Sequence, residues 1–244
     1  MNWTFFHKLG SPKWFYDISG KWLPWLQVSS LVLISVALVW GLAFTPPDYL
    51  QGNSYRIIFI HVPASFLAQS VYMMMATAAA VTLIWKIKLA DMALKVMAPI
   101  GASFCILSLA TGAIWGQPTW GTWWVWDARL TSMLILLFLY IGIIALRGAI
   151  HTIEAAAKAC AILSLVGVVN IPIIKFSVDW WNTLHQGATL TLTEKPSMAP
   201  EMLWPLLLAI LGFYLFFTMV MVLRLRIEII SRERKTRWVK ELVS

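Results

Sequence analysis

Apolar residues along this chain come in long unbroken runs, separated by short polar or aromatic stretches. They show neither the 3.6-residue period of an amphipathic helix nor the alternation of a half-buried strand. About 20 apolar residues carry a helix across the hydrocarbon of a bilayer, and six runs qualify: 25–44, 62–85, 96–115, 130–146, 155–174 and 203–223. Backbone polar groups in lipid leave only helices or closed barrels, and continuous runs exclude the alternating strands of a barrel. The pattern predicts an all-α integral membrane protein, a bundle of six transmembrane helices. The first run spans a full bilayer and ends in Phe44-Thr-Pro-Pro without a small-x-small cleavage site, so it is expected to be retained. With no long linker or clear repeat, residues 1–244 read as a single domain.

Charge gives the bundle its direction. Short cytoplasmic loops retain Lys and Arg. Lys8, Lys13, Lys21, Lys86, Lys88, Lys95, Arg147, Lys158 and seven residues of the tail fall on one side, against Arg56, Arg129, Lys175 and Lys195 on the other. Both termini are therefore expected in the cytoplasm, with outer loops at 45–61, 116–129 and 175–202. This sidedness accounts for most of the net charge of +8, which argues no nucleic-acid partner. The basic tail from Leu223 to Trp238 is expected to continue the last helix along anionic lipid headgroups, with a cytoplasmic protein as the alternative.

The second outer loop carries the densest chemistry. Trp115, Trp120, Trp123, Trp124 and Trp126 fall within twelve residues, followed by Asp127 and Arg129. Indoles clustered outside a packed core indicate either an interfacial belt or a platform for a planar ligand. His7 and His151 sort to the inner side; His61 and His185 sort to the outer side, flanking that platform. His61 precedes the second run, where Pro63 suits a first helical turn. If 179–187 is helical, Trp181 and His185 share a face. Singly, each histidine reads as an interfacial hydrogen-bonding residue. Together over an aromatic bed, two neutral imidazoles suit axial ligation of a haem iron.

Other metals fit less well. Structural zinc wants four Cys or His ligands, and hard cations want several carboxylates, whereas Asp48, Asp127, Asp179, Glu194 and Glu201 are scattered. Arg129, and less so Arg56, could meet propionates. Asp127 and Arg129 could equally form a local pair, or Asp127 could cap the fourth helix. Cys105 and Cys160, without CxxC or CxxCH, read as small buried hydrophobes, and the Met73-Met-Met75 run as lipid or helix packing. Ser108, Gly112 and Gly116 at four-residue spacing predict close helix packing.

The segments Trp115-Gly116, Trp120-Gly121, Trp123-Trp124-Val-Trp126-Asp127 and Arg129-Leu-Thr131 resemble the tryptophan-rich "WWD" signature of haem-handling membrane proteins. The stretches 53–63 and 170–187, each with its histidine, are similar to one branch, the haem exporter protein C (CcmC) family of cytochrome c maturation. The likeness spans nearly the whole chain and is least diagnostic at the termini and over 188–202. It implies haem b, bound without covalent linkage at the periplasmic face of the bacterial inner membrane. His61 and His185 would be the iron ligands, over a loop of about 115–131. It further implies delivery to the haem chaperone CcmE, with the ABC transporter subunits CcmA and CcmB and the small membrane protein CcmD as partners. The chain would be a handling and transport protein, not an enzyme. The haem lyases CcmF and CcsA carry more spans or domains than 244 residues allow.

Two other classes fit the sequence less well. A cytochrome b-type oxidoreductase subunit would need histidines inside the spans, and none of the four is expected at mid-span. A permease for another amphipathic substrate should show ionisable groups at mid-membrane depth, where this chain has almost none.

Overall fold

The computed structural model describes residues 10–185, 187 and 196–243; His7, Lys8, Glu194 and Lys195 lie outside them. Six helical segments are long and apolar enough to cross a membrane, the shortest 22 residues. At 1.5 Å per residue that is roughly 33 Å, enough for the hydrocarbon core. The expected all-α multi-pass membrane architecture is what the chain adopts.

Helix α1 (Pro12–Val39) starts at Ser11, whose hydroxyl accepts from Trp14 N–H, with proline in the first turn. It ends in one wide π turn, Trp40–Phe44, where the Phe59 ring occupies the space that a side chain on Gly41 would fill. A 3₁₀ turn, Ser54–Ile57, leads into α2 (Ile58–Trp85), and α3 (Lys88–Trp120) follows after a left-handed Lys86. Helix α4 (Ala128–Ala149) is capped by Asp127, whose carboxylate accepts from Leu130 N–H at 2.8 Å. The fifth crossing is divided into α5 (Ile153–Gly167) and α6 (Asn170–Trp180). Proline 172 explains the division: its ring excludes the carbonyl four residues back, and Ile171 N–H bonds Val168 O in a tighter turn instead. Helix α7 (Pro200–Glu233) and the short α8 (Arg237–Val243) complete the described chain.

The broadest packing is α2 on α3, then α1 on α7, with α3 also meeting α4 and α7. Tyr140 lies over Gly101 and donates to Ala68 O at 2.7 Å; Tyr72 lies against Gly167. Any side chain at either glycine would collide with a buried ring, so these positions set how closely the helices approach. Cys105 and Cys160 are buried free thiols, as expected, and Met75 is buried in the same core. Leu31, Val36, Phe138, Ile141 and Val166 point outward, an apolar exterior suited to lipid.

One end of the bundle is tied by charge. Asp91 of α3 takes both terminal nitrogens of Arg147 from α4, at 2.6 and 2.8 Å, and Arg232 of α7 at 2.6 Å. Glu228 takes Arg232 and Lys95. At the same end Arg226 stacks on the Tyr16 ring, 3.7 Å away, so α1 and α7 meet there. The tail continues α7 only as far as Glu233, where a turn leads into α8, and Arg226 and Arg232 are engaged inside the protein.

Three expected boundaries need correction. His61 is not in a loop: α2 begins at Ile58, and Pro63 lies inside it. The tryptophan segment is not a loop throughout, because α3 continues to Trp120 and stops at Gly121, φ 77°. The stretch holding Trp181 and His185 is not helical; Trp181 is extended, with φ −134° and ψ 154°.

Candidate functional site

Opposite the charge-tied end, the C-terminal end of α3 organises the candidate residues. His61, in the second turn of α2, donates or accepts at Nδ1 with Thr111 Oγ1 over 3.0 Å and lies edge-on to Trp115 at 5.7 Å. A Cβ on Gly112 would come within 3.1 Å of His61 Cε1, so the glycine is what lets the imidazole lie against α3. Ser65 and Ser108 bond each other at 2.5 Å beneath the ring. The small-residue stripe thus serves close packing at Ser108 and Gly112, but Gly116 accommodates its own chain, Trp120 and Thr122.

His185 reaches the same helix end by a different route. Asn170 of α6 donates to Ser132 O at 2.8 Å, and Arg129 Nε donates to Ser177 Oγ at 3.3 Å, which holds α6 beside α4. The chain leaving α6 therefore passes the α4 cap. His185 Nδ1 is 2.7 Å from Asp127 Oδ2, Thr183 bridges both residues, and the ring lies edge-on to Trp120 at 4.6 Å. His61 and His185 lie within electrostatic reach of each other, and Arg129 within reach of both.

Burial pulls the His185 imidazole below the usual histidine range, outweighing the opposite pull of Asp127. Burial would raise the Asp127 carboxyl, but the Thr183 hydroxyl, the Leu130 N–H and His185 hold it below the usual carboxylate range. The contact is thus a neutral imidazole donating Nδ1–H to a carboxylate, a charge-assisted hydrogen bond that leaves the basic lone pair on Nε2.

The tryptophans divide by role. Trp115 is partly buried and donates to Gln51 Oε1 at 2.8 Å. Trp120 backs His185. Trp123 and Trp126 stand 61% and 76% exposed, and Trp124 meets Trp126 edge-on at 5.4 Å. The Trp124 indole N–H is buried without an acceptor. Trp180 at the end of α6 and Trp181 after it are also exposed and meet edge-on at 5.7 Å.

The two arginines part company. Arg56 donates to Leu42 O at 2.9 Å and Thr45 O at 2.6 Å, so it closes the connection between α1 and α2. Arg129 makes no ion pair with Asp127, whose carboxylate caps α4 and faces His185; of the two readings for Asp127, the cap is the one observed.

Among the described residues, no group of three or more His, Cys, Asp or Glu could hold a metal ion. A haem iron asks less of the protein, since the macrocycle supplies four nitrogens and only axial ligands are needed. Two anchored imidazoles, exposed indole faces, a nearby guanidinium and an orphan indole donor fit a large planar carboxylate-bearing ligand. Thr111, Thr183, Gln51, Ser65 and Ser177 were missed in the sequence. Only the helical spacing of Thr111 and Gly112 before Trp115 offered a signal for any of them.

The family model described as heme exporter protein C matches residues 5–240. The chain is 52% identical over 240 residues to the heme exporter protein C of Haemophilus influenzae, covering 98% of each chain. It is 49% identical over 241 residues to that of Escherichia coli, covering 99% of this chain and 97% of the relative. With that of Bradyrhizobium diazoefficiens it shares 46% over 224 residues, 92% of this chain and 85% of the relative.

Proposed function

The chain belongs to the heme exporter protein C family, and on that premise we propose that it binds haem b at the periplasmic face of the bacterial inner membrane and delivers it to the haem chaperone CcmE for c-type cytochrome assembly. The observation that carries this reading is the convergence of two separately anchored histidines, on α2 and after α6, at the tryptophan-rich end of α3. His61 and His185 supply the axial imidazoles. Trp120, Trp123, Trp124 and Trp126 present faces and edges to the macrocycle, and Trp115 backs His61. Arg129 and the Trp124 N–H meet propionate oxygens. Asp127 acts on His185, and Arg56 shapes the adjoining turn.

The haem is cargo, so the chain acts as a handling protein and not as an enzyme, working with CcmA, CcmB and CcmD. Both termini are cytoplasmic, which places the charge-tied end at the inner surface and agrees with the positive-inside bias. The test is haem content of the detergent-purified protein after pyridine extraction. Non-covalent haem b at about one per chain is expected, as for a single axial-ligand pair; no binding after haem supplementation would overturn the reading.

A further inference from the structure

We propose that Asp127 is a positioning residue that fixes the ring of His185 through Nδ1–H and makes it the more electron-donating of two unequal axial ligands. This rests on the haem-binding reading above. His185 sits on a non-helical stretch beyond Trp180, so no helix backbone sets its ring plane. Side chains do that work. Asp127 Oδ2 meets Nδ1 at 2.7 Å, Thr183 Oγ1 meets Nδ1 at 3.2 Å and the His185 backbone N–H at 3.1 Å, and Trp120 covers one edge.

The carboxylate is itself held. Its Oδ1 accepts from Leu130 N–H at the start of α4, while Oδ2 takes Thr183 and His185. The helix cap orients the carboxylate, and the carboxylate orients the imidazole. The amino end of α4 also favours the negative charge there.

His61 is anchored differently. The Thr111 hydroxyl donates to Leu107 O at 2.6 Å and so is left to accept from His61 Nδ1–H, which makes its partner neutral. An imidazole donating to a carboxylate is a stronger electron donor to a metal than one donating to a neutral oxygen, and such partners tune affinity and potential. The two ligands therefore differ by one charge in their outer partners.

Asp127→Asn removes both the charge and the acceptor that His185 Nδ1–H uses, while α4 keeps its cap, because asparagine caps a helix as well as aspartate. The amide must then turn its NH₂ toward His185, or lose the cap. Spectroelectrochemical titration of the haem-loaded full chain is expected to show a raised midpoint potential in D127N. A tenfold loss of ferric over ferrous preference, about 59 mV for one electron, is the expected scale. Asp127→Glu, which keeps the charge, should recover part of the shift, and Thr111→Val beside His61 should move the potential less. A wild-type potential and axial spectrum in D127N would overturn the proposal. So would greater haem loss in D127N than in His185→Ala, since a residue acting through a ligand cannot cost more than the ligand. If His185→Ala itself keeps the wild-type six-coordinate spectrum, it is the haem-ligation reading that fails.

Discussion

An imidazole is a dependable ligand only when its ring plane and its tautomer are both fixed, and His61 and His185 meet that condition by different means. His61 inherits its plane from α2 and its slot from Gly112, while His185 depends on Asp127 and Thr183. Replacing either by Ala is expected to convert six-coordinate ferric haem to five-coordinate, with lower retention and rescue by added imidazole, read in the absorption spectrum. His151, on the turn between α4 and α5, should change neither. That both histidines lie at the tryptophan-rich end was legible in the sequence, because the charge pattern groups them with that segment. Their partners were not legible. Thr111 lies 50 residues from His61 and Asp127 58 residues from His185, and no local pattern encodes a contact at that separation.

At the scale of elements, the existence of each span was legible and its ends were not. Apolar runs report where lipid contact is needed, whereas α3 continues past its run to Trp120 because the Gly121 cap, not hydropathy, stops it. The division at Val168 and Val169 was written in Pro172, but inside an otherwise apolar run it gave no break in pattern. The extension of α3 has a consequence for the tryptophans: Trp115 and Trp120 are fixed on a helix, and only Trp123, Trp124 and Trp126 follow its cap. An interfacial belt tolerates exchange among aromatics. Single and paired Trp→Phe changes at 120, 123, 124 and 126 should instead reduce haem bound per folded protein, most at Trp124, whose indole N–H is buried without an acceptor. Full haem content in every variant would favour the belt. The opposite end makes a separate prediction. Asp91 is the shared acceptor for Arg147 and Arg232, all three with side chains under 15% exposed. Asp91→Ala strands Arg147 and should cost about 3 kcal/mol of stability, visible as a lowered unfolding midpoint in detergent with the aromatic end unchanged.

The whole molecule separates two jobs by distance along the bundle axis. Charge pairs lock α3, α4 and α7 at one end, and the histidines and indoles gather at the other, on α2, the far end of α3, its connection to α4 and the segment after α6. That arrangement keeps the aromatic end apart from the ion pairs that hold the bundle together. Two axial ligands and an aromatic bed would hold haem as a static group unless something displaces them, and a carrier must let go. A partner side chain that replaces one histidine while the indoles still hold the ring divides one costly dissociation into two smaller steps, as covalent catalysis divides a reaction. Haem release is therefore expected to require docking against the outer surface that includes exposed Trp123, Trp126, Trp180 and Trp181. Mixing the haem-loaded protein with apo-chaperone, with a chaperone lacking its haem-accepting side chain, and with a passive haem scavenger separates the cases spectroscopically. Transfer should be fastest to the intact chaperone; equal loss to all three would show simple dissociation and leave no role for docking.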